Sequence, residues 1–96
     1  LYNNIGSVYH DLGMNTEALE FFQKSLNIRQ LILPENHPVL AVVNRNIAVV
    51  HEKTGEFSKA LEFYQKTLRI QEKSLPPKHP ELAVTYNNIA TVHDAM

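Results

Sequence analysis

Asparagines recur along the chain at an interval that could align them. Asn4, Asn46 and Asn88 are 42 residues apart, and each follows another polar residue: Asn3, Arg45 and Asn87. A side-chain amide offers donors and an acceptor, so it can pair with the backbone of an extended peptide whatever the peptide's sequence. The same amides could instead bridge neighbouring elements within the chain. Either use requires that folding brings them into line.

Two cations, Arg45 and Lys53, are candidates for binding a carboxylate. Arginine presents a planar fork of donors and lysine a mobile point charge. Glu52 and Asp94 share the same predicted surface, however, and asparagine replaces Arg45 at both matching positions. The sequence therefore predicts no multi-residue carboxylate clamp. Arg45 either contacts a ligand or stays solvated or paired within the chain.

The five histidines lack the spacing of a metal site. No two of them stand four residues apart around a glutamate, and the chain has no cysteine. His37 and His79 each precede a proline, where a ring nitrogen could cap a helix, and His51 and His93 take the position of Tyr9, where packing is expected. No serine has the context of a nucleophile with its base. We therefore expect no catalytic residue, no metal, no cofactor and no enzymatic activity.

The charge balance weighs against two classes of partner. Nine Lys and Arg residues stand against ten Asp and Glu residues without a basic run, so neither nucleic acid nor an anionic membrane is expected as a partner. No apolar stretch approaches the ~18 residues of a membrane span. The lack of cysteine favours an intracellular, cytoplasmic location. Because the first residue is Leu1 rather than methionine, a longer natural protein is expected.

One offset dominates when the sequence is compared with itself. Gly13 recurs as Gly55, and the His-Pro pair that ends at Pro38 recurs with Pro80, so the period is 55 − 13 = 42 residues. About 24 of the 54 comparable pairs are identical, far above the ~1 in 15 expected by chance from average composition. The chain is therefore a tandem repeat, and the asparagines share one position in it.

Each repeat contains two helices, an A helix followed by a B helix, because its apolar residues keep helical spacing. Pro38 and Pro80 suit the first turn of an A helix, where a backbone amide proton would have no partner within the helix. Gly13 and Gly55 suit the end of an A helix, where the chain reverses direction. The predicted fold is all-α, with helices near 1–12, 15–31, 38–54, 57–73 and 80–95.

The A helix at 38–54 has two contrasting stripes at helical spacing. One is predicted to be buried and consists of Val43, Ile47, Val50 and His51. The other is predicted to be open and consists of Val42, Arg45, Val49, Glu52 and Lys53, with Asn46 beside it.

These features together resemble the tetratricopeptide repeat. The resemblance rests on Gly and Ala where the helices cross, on the small-aromatic-small-Leu order of the B helix and on the Asn-Ile-Ala of the A helix. The usual period of that family is about 34 residues, with a proline after the B helix where this chain has Gln30 and Glu72. The segments LPENHPVLAVVNRNIA and LPPKHPELAVTYNNIA are similar to the 42-residue repeats of kinesin light chains.

The resemblance implies a single array of antiparallel hairpins in a right-handed superhelix, with a first repeat at 1–37, a second at 38–79 and the first helix of a third at 80–96. It also implies that the A helices line a concave face that binds peptides or partner proteins. An alternative is a sensing, recruiting or autoinhibitory array within a larger enzyme. The expected contact residues are Asn3, Asn4, Ser7, Val42, Arg45, Asn46, Val49, Lys53, Val84, Asn87, Asn88 and Thr91.

The last A helix has no B helix after it in this chain. Its apolar face, with Ile89, Val92 and Met96, is therefore expected to be bare. Bare apolar stripes seek partners, so self-association through the unpaired ends is predicted.

Overall fold

Five helices account for nearly the whole chain in the computed structural model, which describes the backbone of residues 2–96 and the side chains from Asn4 onward. The A helices are α1 (Tyr2–Asp11), α3 (Pro38–Lys53) and α5 (Pro80–Ala95), and the B helices are α2 (Asn15–Ile32) and α4 (Phe57–Ser74). Each helix packs against the next in the sequence, and α1 also contacts α3. Over the described residues the all-α prediction is confirmed, and every helix begins and ends within a residue or two of the predicted range.

The helix ends use the residues that the sequence indicated. The backbone of Gly55 has φ 79°, in the left-handed region that favours glycine, and it lets the Glu56 N–H donate to the His51 carbonyl at 2.8 Å. Gly13 does the same after α1, with φ 75°. At the start of α3 the His37 ring accepts a hydrogen bond at Nδ1 from the Val39 N–H at 3.1 Å. The bonds beside Gly13 and Gly55 close the turns within the two hairpins, and the His37 bond caps the start of α3.

The core lies between the A and B helices in two clusters. The first joins α2, α3 and the end of α4 around Phe22, Val43 and Ile47. The second joins α3, α4 and α5 around Ala48, Ala60, Tyr64 and Val92. All four residues of the predicted buried stripe of α3 are buried, which confirms that prediction.

The prediction for α5 was wrong in one respect. Val92, expected to be bare, is fully buried because it packs into the second cluster with Tyr64. Ile89 is half-buried against the same cluster, and only Met96 is largely exposed, at 63%. Self-association stays a prediction, without Val92 as a contact.

Gly6 lies where α1 crosses α2, and we predict that Gly6→Ala destabilises the protein. A Cβ at Gly6 would lie 2.7 Å from Cδ1 of the buried Phe22 ring and 3.2 Å from the Ala18 carbonyl oxygen. The overpacking cost of about 1–3 kcal/mol should exceed the ~1 kcal/mol that alanine gains in helix propensity. Urea unfolding measures the change. The destabilisation caused by Gly6→Ala should be smaller in a Phe22→Leu background. A Gly6→Ala variant more stable than the original chain would contradict the prediction.

Candidate functional site

A cleft of about 150 Å³ opens between α3 and α5, with the end of α4 as its floor. This α3–α5 cleft is lined by Pro38, Ala41, Val42, Arg45, Gln71, Ser74, Leu75, Glu81, Val84 and Thr85. Three of the predicted contact residues, Val42, Arg45 and Val84, meet in it. They come from two successive A helices, and Val42 and Val84 hold the same position in the 42-residue period.

The walls of the α3–α5 cleft are apolar, and its rim carries both signs of charge. Val42 and Val84 are 44% and 51% exposed, which leaves apolar surface accessible to a ligand. Arg45 and Glu81 both line the opening. Because the two charges oppose each other, the cleft suits an apolar side chain flanked by polar backbone better than it suits a highly charged ligand.

A buried polar pair forms the floor of the α3–α5 cleft. The Thr85 hydroxyl lies within hydrogen-bond distance of the Gln71 Oε1 and of the Glu81 carbonyl oxygen, and the side chains of Thr85 and Gln71 are buried. Burial of polar groups is tolerated when they are paired. Gln71 and Thr85 were not predicted as site residues. Their signal in the sequence is that they replace Arg29 and Val43 of the preceding repeat.

The remaining predicted contact residues extend along the open face of the A helices. Lys53, Asn87, Thr91 and Asn4 are exposed, whereas Ser7, Asn46, Val49 and Asn88 are half-buried. Asn46 and Ser7 also interact within the chain. The side chain of Asn3 lies outside the described residues. Whether these residues bind a ligand stays a prediction.

Glu52, predicted to lie on the open stripe, faces inward. Its Oε1 accepts a hydrogen bond from the Tyr64 hydroxyl at 2.8 Å, and the residue is half-buried. Burial is the main cause of a raised pKa of the Tyr64 phenol, and the hydrogen bond to the Glu52 carboxylate is the second cause. The hydroxyl therefore remains a protonated donor. The pair ties α4 to α3 and leaves Arg45 and Lys53 as the cations of the open face.

The histidines divide into caps and packing residues. His79 accepts at Nδ1 from the Glu81 N–H at 3.1 Å, as His37 does at α3, so the capping prediction is confirmed. His51 is buried and stacks on Phe63, with ring centroids 5.7 Å apart. The prediction that His93 is a packing residue was wrong, since the residue is exposed on a side of α5 that no described helix covers.

Neither a metal-ion cluster nor a membrane-spanning helix is found among the residues that the structure describes. No three histidine, cysteine or acidic side chains come together in a way that could hold a metal ion. No described helix is both long and apolar enough to cross a membrane.

The sequence model of the tetratricopeptide repeat family matches residues 1–73 and 39–96. A search of curated proteins found no match. Among solved structures, nearly identical TPR-like repeats from a putative kinesin light chain of Podosopora anserina, and a form of them with one substitution, each align with a TM-score of 0.84 at 22% identity. Each alignment covers 98% of this chain and 44% of the solved chain, so this chain spans less than half of their length.

Proposed function

Because the chain belongs to the tetratricopeptide repeat family, whose folds mediate protein–protein interaction, we propose that it binds an extended peptide segment of a partner protein along its A helices. The observation that carries the proposal is the α3–α5 cleft, where Val42, Arg45 and Val84 of two different helices meet. Proteins or peptides as partners and an intracellular site of action are part of the proposal.

The cleft supports a specific arrangement of the peptide. Val42 and Val84 present apolar surface that an apolar side chain of the ligand would cover. Arg45 at the rim would donate to a carbonyl or carboxylate next to that side chain. An apolar residue beside an acidic or polar one is therefore the sequence feature that we expect in a ligand.

The asparagines would supply affinity that does not depend on the ligand's sequence. Asn46 and Asn88 lie half-buried on the same open face, one per A helix, and each amide can both donate to and accept from a peptide backbone. Asn46 already interacts within the chain, so peptide binding would have to replace or extend that interaction. The intramolecular alternative for these residues therefore remains part of the test.

Peptides selected from a random library against the immobilised chain test the proposal. We expect the double substitution Val42→Asp with Val84→Asp to weaken their binding at least about tenfold, since it removes the apolar walls and places charge in the cleft. Both positions are exposed, so the helical circular dichroism should be unchanged. Fluorescence anisotropy with labelled peptides measures the affinity.

The control is Leu31→Asp, because Leu31 is an exposed apolar residue that does not line the cleft. It should leave affinity unchanged. Asn46→Ala and Asn88→Ala separate the two roles of the asparagines, since a purely intramolecular role would change stability and not affinity. If every selected peptide bound the double aspartate variant as tightly as the unsubstituted chain, the proposed site would be wrong.

A further inference from the structure

The floor of the α3–α5 cleft has hydrogen-bonding groups in addition to its apolar walls. Gln71 and Thr85 are 7% and 1% exposed, so packing restricts where their polar ends can lie. Ser74 stands three residues after Gln71 on α4 and lines the same cleft. A ligand side chain that enters the cleft must match what these groups offer.

Gln71 offers a donor. The Thr85 hydroxyl carries one proton, and Gln71 Oε1 is the nearer of its two acceptors, the other being the carbonyl oxygen of Glu81. An amide that is paired through its oxygen keeps two N–H donors on its nitrogen. Among the described residues no group accepts a hydrogen bond from Gln71 Nε2, and the residue lines the cleft. Because Thr85 holds the oxygen, Nε2 is the end of the amide that is left for a ligand.

Ser74 offers an acceptor. Its hydroxyl donates to the Ile70 carbonyl oxygen at 2.7 Å. Since a hydroxyl has one proton and two lone pairs, this bond leaves the Ser74 Oγ able to accept. Residues three apart on a helix are neighbours on its surface, with Cβ atoms about 5–6 Å apart. The floor therefore presents a donor and an acceptor side by side.

A primary carboxamide complements this pair, and a carboxylate does not. The carboxamide has an oxygen that accepts and a nitrogen that donates. A carboxylate has only acceptors, so its second oxygen would face the lone pairs of Ser74 in a cleft that Glu81 also lines. Its charge would in addition lose hydration on entering the cleft. The floor thus favours a neutral amide over an acid.

The walls of the cleft favour glutamine over asparagine. Val42 and Val84 present apolar surface above the floor. The two methylene groups of a glutamine would cover that surface while its amide lies at the floor, whereas asparagine has only one methylene group.

We infer that the α3–α5 cleft binds a glutamine side chain of the peptide, whose amide oxygen accepts from Gln71 Nε2 and whose nitrogen donates to Ser74 Oγ. The inference rests on the proposed function and refines it, because the polar residue expected in the ligand becomes an amide and not an acid. Gln71 and Ser74 are then the residues that determine specificity.

The preceding repeat does not offer the same pair. Arg29 and Ile32 stand at the positions of Gln71 and Ser74. A cation and a hydrocarbon side chain do not complement a carboxamide, and Ile32 has no hydrogen-bonding group in its side chain. The preference for glutamine is therefore a property of this cleft and not of the repeat.

Substitution in the ligand tests the inference without any change in the chain. The probe is a selected, labelled peptide that contains glutamine and loses affinity for the double variant Val42→Asp with Val84→Asp. Replacing its glutamine by glutamate, or by methionine, should weaken binding at least about tenfold in fluorescence anisotropy. Glutamate keeps the shape without a donor at its tip, and methionine keeps the length without an amide.

Gln71→Met is the corresponding variant of the chain. It should bind the glutamine and methionine peptides within about twofold of each other, because the donor that distinguishes them is gone. Methionine is similar in size to glutamine, and the Thr85 hydroxyl keeps its bond to the Glu81 carbonyl oxygen, so helical circular dichroism should be unchanged. Gln65→Met is the matched control, since Gln65 is exposed on the same helix and does not line the cleft. This control should keep the full preference for glutamine.

The outcomes distinguish the inference from the proposed function. Peptides that bind through Val42 and Val84 but contain no glutamine, or that keep their preference for it in Gln71→Met, would overturn the inference and leave the proposed function in place. Peptides whose binding is insensitive to the double aspartate variant would overturn both.

Discussion

Tyr64→Ala is expected to lower the free energy of unfolding by about 3–5 kcal/mol, the range for removing a buried aromatic side chain. Tyr64 is only 1% exposed and packs with Ala48 of α3 and Val92 of α5. Its loss would leave a cavity at the point where three helices meet, and Glu52 would lose its hydrogen-bond donor. Urea unfolding followed by circular dichroism measures the change.

The matched variant Tyr64→Phe separates the ring from the hydroxyl. It should cost only about 1–2 kcal/mol, because it removes the 2.8 Å bond to Glu52 and keeps the packing. Phenylalanine fits at this position, since Phe22 occupies it in the first repeat, where His10 replaces Glu52. A Tyr64→Phe variant as unstable as Tyr64→Ala would show that the ring contributes little.

Ile47→Ala should destabilise the chain by about 2–5 kcal/mol. Ile47 has no exposed surface and packs in the cluster that joins α2, α3 and the end of α4. Because helices on both sides contact it, no single neighbour can move to fill the cavity without leaving its other contacts. Chemical unfolding measures the loss in the free energy of unfolding.

Val42→Ala is the control for Ile47→Ala. It removes apolar carbon from the same helix at a position that is 44% exposed, so the change should remain within about 0.5 kcal/mol. Similar losses for the two variants would mean that the two stripes of α3 do not differ in burial as described.

The sequence predicted the helices well because their ends carry strong local signals. Proline at the start of α3 and α5, and glycine in a left-handed conformation after α1 and α3, mark boundaries that depend on backbone geometry alone. The buried stripe of α3 was also predictable, since helical spacing identifies one face and the repeat guarantees a neighbour on each side of it.

Burial on α5 could not be predicted in the same way. The residues of α5 copy the pattern of α3, but exposure depends on which helices stand beside it, and periodicity does not give that information. Val92 was expected to be bare because no B helix follows α5, but it is buried in the cluster that contains Tyr64 of α4. His93 was expected to pack because of its position in the repeat, but it is exposed.

The floor of the α3–α5 cleft was missed for a related reason. Gln71 and Thr85 belong to different helices and meet only through tertiary packing. The close approach of Gly6 to Phe22 likewise depends on the crossing of two helices. Ligand binding by the predicted contact residues stays a prediction.

The pairing of Gln71 with Thr85 has a consequence for how such arrays can be rearranged. At the preceding junction the same two positions hold Arg29 and the fully buried Val43. If the two B helices exchanged places, the hydroxyl of Thr85 would face a long cation, and a glutamine would face the aliphatic Val43. The two junctions therefore place different side chains together, so exchanging the repeat units would remove the buried Gln71–Thr85 hydrogen bond.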